Sequence, residues 1–236
     1  MTGVLARTNP LVLVILSILG MLASLAVRDL GTAMITVVLI MVAGVVGMPR
    51  RSGPLIRYLA VVLGSLSVGW STWLVGEHDV RVAVVAGLRI VVLALPGVAL
   101  APLIDPSALA DHLGQRLRLP SRGVVAFAAA LQRVDHLGDT WQQLVRARRA
   151  RGLGPGRGPV SAVGHVGSVT FGLLVSTLRQ ATRMSVAMDA RGFAHAERRS
   201  WAEPARWARL DTAVVAAGVV LAAIPYLLRW GWGLTG

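Results

Sequence analysis

Long apolar runs almost free of charged side chains constrain this sequence more than any other feature. Five of them approach the ~20 residues of helix that a hydrocarbon core requires: Pro10–Val27, Leu30–Met48, Tyr58–Gly76, Val82–Ile104 and Thr212–Leu228. With 55% of its 236 residues hydrophobic, the chain carries more apolar surface than a soluble domain of that size buries. A segment in lipid must satisfy its backbone polar groups internally, so the runs predict helices. The expected fold class is all-α and polytopic, with about five transmembrane helices and further long helices outside the hydrocarbon. The first run exceeds the ~7–15 apolar residues of a secretory signal core, and is read as a retained span.

Arginine placement orients these spans. The connector after the second run holds Arg50, Arg51 and Arg57 and no acid, whereas the one after the third holds Glu77, Asp79 and Arg81. The positive-inside rule makes the former cytoplasmic and the latter external. The N-terminus with Arg7 is then cytoplasmic, and the chain re-enters the cytoplasm after Ile104. Three regions follow: a four-span part over 1–104, a basic part over 105–210, and a last span over 211–236. The basic part carries 16 arginines and seven acids. Its longest uncharged stretch, Gly158–Leu178, contains Gly164, Gly167, Gly172 and His165, which makes it a poor insertion candidate. It is read as an interfacial helix packed through its small residues.

Composition also removes function classes. There is no cysteine, hence no disulfide or thiolate metal site. His78, His112, His136, His165 and His195 lie in separate segments without metal-ligand spacing, so no metal site is expected. All 24 basic residues are arginine, and a Walker A loop needs its lysine, so ATP and Mg chemistry would have to come from a partner. The basic region lacks the aromatic or recognition-helix pattern of a nucleic-acid binder. A stand-alone permease would require polar groups converging within the spans, but Arg89 is the only charge well inside one. An intramembrane enzyme would require carboxylate or histidine clusters there.

The basic region contains an echo. Residues 147–152 read Ala-Arg-Arg-Ala-Arg-Gly and residues 187–192 read Ala-Met-Asp-Ala-Arg-Gly, a shared A-x-x-A-R-G forty residues apart. The preceding segments, Trp141–Arg151 and Leu178–Arg191, are rich in helix formers, and each meets a glycine suited to the left-handed position that ends a helix. Alanines at i and i+3 share a face and allow close backbone approach, while the terminal arginine presents a bidentate cationic fork. Such a tip suits a groove lined by carboxylates or carbonyls.

On these residues the chain resembles the transmembrane T components of energy-coupling-factor importers, in which Ala-Arg-Gly motifs end two cytoplasmic helices. The likeness extends through Asp105-Pro106, Ala108–Leu113, Gln132–Gly152 and Ala187–Gly192; the N-terminal spans match only as a hydropathy pattern. The resemblance implies a non-catalytic subunit of a bacterial or archaeal cell membrane. It implies two partner ATPases, A and A′, and a small substrate-binding S component for a vitamin or transition-metal ion. Arg151 and Arg191 would be the tips docked into the ATPases. Ala150 and Ala190 would permit close contact, Gly152 and Gly192 would end the helices, and Ala147, Arg148 and Ala187 would support them.

Four further features remain. Arg89 is expected to snorkel toward the external face. Pro96 and Pro102 are expected to kink the fourth span. Residues 152–158, Gly-Leu-Gly-Pro-Gly-Arg-Gly, read as a flexible turn between the two helices, and Glu197–Trp207 as an interfacial approach to the last span.

Overall fold

The computed structural model describes residues 3–48, 56–76, 78–154, 156, 158–193 and 204–233. Arg50, Arg51, Glu77, Arg157 and most of the 197–207 approach lie outside the described residues. All regular structure described is helical: α1 (Pro10–Ala26), α2 (Leu30–Gly47), α3 (Ile56–Val75), α4 (Val80–Leu100), α5 (Pro106–Arg116), α6 (Ser121–Ala150), α7 (Pro159–Ala190) and α8 (Arg209–Gly233). Short 3₁₀ turns at Val4–Arg7 and Ala101–Leu103 complete the set. The chain divides into two compact units, residues 1–112 with 205–236, and residues 113–204. Thus most of α5 and the lead into α8 belong with the spans rather than with the basic region.

Local chemistry places the helix ends of the first unit. Asn9 caps α1, its Oδ1 accepting the Leu11 N–H at 2.9 Å, with Pro10 preorganised at the first helical position. Asp79 caps α4 by accepting the Arg81 N–H at 2.8 Å. At α2, the Thr32 hydroxyl meets both the N–H and the carbonyl of Asp29. Pro96 lies inside α4, while Pro102 falls in the 3₁₀ turn that closes it.

Packing here relies on small residues. Ala23 and Val27 of the α1 end, Ala33 of α2 and Val92 of α4 form the buried core, flanked by Val37, Ile40, Val85, Leu88 and Ala222. Where α3 crosses α4, a Cβ on Gly69 would lie 3.2 Å from the Ala83 carbonyl, and one on Gly87 would lie 3.0 Å from that of Ser65. The backbones touch, the geometry that small residues permit between membrane helices. Gly20 of α1 likewise accommodates the Pro96 ring. Only 6% of the apolar window of α3 is buried, so most of its side chains must face lipid or another protein.

Among the described residues five helices are long and apolar enough to cross a membrane: α2, α3, α4 continued to Leu103, α7 and α8. The number matches the sequence expectation, but the membership does not. Helix α1 has 17 residues, about 25 Å at 1.5 Å per residue and near the lower limit for a span. Helix α7 runs unbroken for 32 residues, about 48 Å, and fuses the stretch read as interfacial with the motif-bearing segment after it. Its glycines weaken a helix without terminating it.

In the second unit α6 and α7 form an antiparallel pair. Arg148 of α6 meets Ser168 of α7, and Arg133 of α6 meets Gln180 at 2.8 Å, so partners advance along one helix as they retreat along the other.

Candidate coupling site

The two hexamers end these paired helices. Helix α6 stops at Ala150, with Arg151 as its cap residue and Gly152 at φ +74°; α7 stops at Ala190, with Arg191 as its cap and Gly192 at φ +72°. At the first end the Gly152 N–H donates to the Arg149 carbonyl (3.0 Å) and the Leu153 N–H to the Arg148 carbonyl (2.9 Å). That pair of bonds is a Schellman closure, which requires a left-handed residue and therefore favours glycine. At the second end the Gly192 N–H donates to the Asp189 carbonyl at 2.9 Å.

The two ends also share a pattern of exposure. Ala147, Ala150, Arg151 and Gly152 are exposed, as are Ala187, Ala190, Arg191 and Gly192. The second position of each hexamer, Arg148 or Met188, is half-buried. Each end thus offers two alanines, an arginine and a turn of bare backbone to whatever approaches, with the intervening side chain tucked inward.

Arg148 has a different task from the tips. Its guanidinium hydrogen-bonds the Ser168 hydroxyl through Nη1 and the Ser168 carbonyl through Nη2, the latter at 2.7 Å. A hypothetical Cβ on Gly172 would be 3.7 Å from the Arg148 Nη2, an ordinary contact distance, so the fork lies close against this turn of α7. Arg148 therefore fastens α6 to α7 behind the tip formed by Arg151. Sequence reasoning grouped it with the motif but did not find Ser168 or Gln180, since spacing along one helix says nothing about its partner across the pair.

Antiparallel pairing sends the tips to opposite ends. The Arg148–Ser168 and Arg133–Gln180 pairs place Arg151 level with the first turns of α7, and Arg191 follows about 27 residues later, or about 40 Å along the helix. A shallow depression of about 520 Å³ leads to the second tip, lined by Arg179, Thr182, Arg183, Val186, Ala187 and Ala190. It combines apolar surface with two cationic forks from one face of α7.

Two observations concern the other residues singled out from sequence. Arg89 is exposed near the midpoint of α4. Among the described residues no group of three or more His, Cys, Asp or Glu side chains is placed to hold a metal ion.

Comparison with known proteins adds an independent line. Residues 1–201 match the model of a family, CbiQ, described as "Cobalt transport protein". Similar curated proteins include the "Energy-coupling factor transporter transmembrane protein EcfT" of Bacillus subtilis (strain 168), 29% identical over 150 residues, covering 60% of this chain and 57% of that one. Proteins of the same name from Exiguobacterium sibiricum and Limosilactobacillus fermentum are each 23% identical, over 172 and 168 residues, covering 70% and 68% of this chain. The chain spans 65% and 63% of the length of those two relatives.

Proposed function

The chain belongs to the CbiQ family of cobalt transport proteins, and on that footing we propose that it is the transmembrane coupling subunit of an energy-coupling-factor importer. In this reading it carries motion from two cytoplasmic ATPases to a separate membrane protein that captures a vitamin or transition-metal ion. ATP and Mg bind to the ATPases, and the chain itself catalyses nothing. The supporting observation is the pair of matched helix ends: two copies of one exposed surface, at opposite ends of one rigid pair, suit two like sockets on two like partners. The names carried by the similar proteins point the same way.

Each tip works by simple means. The alanines let a partner's backbone approach, and the arginine forms bidentate bonds with carboxylates, or bonds to carbonyls, once water is excluded. Because α6 and α7 are fastened by Arg148 and Arg133, displacement of one tip turns the pair as a body and moves the other. In this proposal the α6–α7 pair lies along the cytoplasmic face, with both tips and the N-terminus on that side. The glycines of α7, together with Arg179 and Arg183, favour the interface over the hydrocarbon.

The test is charge reversal. Arg151→Glu combined with Arg191→Glu should abolish co-purification of the ATPases while leaving the amount of chain in the membrane unchanged. Undiminished ATPase recovery from the double variant would refute the reading. Accessibility labelling of single cysteines at 151 and 191 should mark both from the cytoplasm.

A further inference from the structure

A buried polar cluster in the first unit takes no part in the coupling site. Asn9, His112 and Asp211 come from the start of α1, from α5 and from the first turn of α8, and are 7%, 8% and 3% exposed. The Asn9 backbone N–H donates to Asp211 Oδ1 at 3.0 Å. Its side-chain Nδ2 lies 2.9 and 2.8 Å from the two ring nitrogens of His112, one of which accepts in the neutral ring, and 3.3 Å from the Arg206 carbonyl. The second oxygen of Asp211 accepts the Ala208 N–H at 2.8 Å. Asn9 therefore caps α1 and bonds two distant segments at once.

Position in the chain gives the cluster its meaning. The chain passes from the first unit to the second after His112 and returns at Ala205. Those are its two crossings, and one asparagine is bonded to the last residue before the first and to the second residue after the other. A buried carboxylate and amide are poor choices for stability alone, because well-packed apolar side chains there would commonly hold as firmly or better. Directional bonds instead specify one geometry.

We propose that Asn9, His112 and Asp211 form a latch that fixes both points where the chain leaves the membrane unit, so that the coupling helices move from a set base. The proposal rests on the coupling reading above, but its test does not. The three are positioning residues: they touch neither ATPases nor substrate, and act by holding the roots of the helices that do.

The absence of native cysteine makes the experiment direct. Spin labels are placed on the full chain in nanodiscs at Ser107→Cys on α5 and Ala213→Cys on α8, both exposed positions of the first unit, and their distance distribution is measured by pulsed electron resonance. Asn9→Ser retains a hydroxyl able to cap α1 but loses the Nδ2 donor. Asp211→Asn loses one acceptor at unchanged size, and His112→Gln is the third variant. The original chain should give one narrow distribution. Asn9→Ser and Asp211→Asn should each raise the displaced population roughly tenfold, the scale of one lost buried hydrogen bond, with ATPase co-purification retained because the tips are untouched. Distributions as narrow as the original would overturn the latch. So would failure of all three variants to accumulate in the membrane, which would reduce the cluster to a folding requirement. Failure of the coupling reading would show instead as ATPases retained by the charge-reversed tips.

Discussion

The first unit and the α6–α7 pair solve the same problem, holding helices together, by opposite means. In the first unit α3 and α4 meet through glycine on bare backbone, and alanine and valine fill the core. In the second, two arginines reach across from α6 to polar groups on α7, and few of the pair's side chains are buried. Close backbone contact suits helices solvated by lipid, where apolar side chains have no drive to leave their solvent and packing contacts do the work. Polar cross-links between largely exposed helices hold the pair as one body while leaving its faces free for other proteins. The contrast is one of chemistry: bare backbone against backbone in the first unit, charged side chain against polar group in the second.

The largest expected effect comes from breaking the first arrangement. Gly87→Leu places a Cβ 3.0 Å from the Ser65 carbonyl, and backbone cannot yield as a side chain does. We expect about 3 kcal/mol of destabilisation, the upper part of the overpacking range, read as a fall in melting temperature in detergent. Gly123→Leu in α6, where an added Cβ meets nothing within 4 Å, should leave the melting temperature close to that of the original chain. Equal loss in both variants would erase the distinction.

Breaking the second arrangement should cost less globally and more locally. Arg148→Ala removes two hydrogen bonds from a charged donor to Ser168, worth about 2 kcal/mol. Hydrogen exchange should rise across residues 144–150 and 165–172 while α1–α4 keep their protection. Arg148→Lys should recover only part of the loss, because an ammonium cannot reproduce the two-pronged contact. If exchange rose equally throughout the chain, the two units would not be energetically separate.

The contrast also shows what a one-dimensional reading can reach. Spans are legible because hydropathy is a local property, and the ends of α6 and α7 are legible because A-x-x-A-R-G joins a helix face to a left-handed glycine within six residues. The Arg133 and Arg148 cross-links are not, since their partners lie 47 and 20 residues away on a second helix whose register no local pattern reveals. The latch was the least visible of all: Asn9 meets His112 and Asp211 across 103 and 202 residues, and each looks ordinary in its own segment. The continuity of α7 was missed for a subtler reason. The uncharged run stops at Arg179, a change of composition that falls inside one unbroken helix.

A third prediction sharpens the comparison at the tips. Gly152→Val forces a β-branched residue into φ +74°, a region that disfavours side chains by about 1–2 kcal/mol, and should unwind the last turn of α6. Gly192→Val should do the same to α7. Each variant should lose part of its ATPase recovery without a fall in melting temperature comparable to that of Gly87→Leu, because the strained turns are exposed and isolated from the first unit's core.

The smallest effect is expected where the first unit leads toward the second. Asp105 caps α5, its Oδ1 accepting the Ser107 N–H at 2.9 Å and the Ser107 hydroxyl at 2.7 Å. Those bonds favour the carboxylate and hold its pKa below the ordinary 3.8, against a smaller opposing effect of burial. A group whose pKa is depressed by folding stabilises the fold above its unfolded pKa, and the contribution is lost as pH falls through the lowered value. Asp105→Ala should therefore weaken α5 by about 0.5–1 kcal/mol at neutral pH, detectable as faster exchange at Leu109, whose N–H bonds to the Asp105 carbonyl. The difference between variant and original should shrink only as pH falls below 3.8. A difference already gone at pH 5 would mean that the side chain acts through something other than its ionised cap.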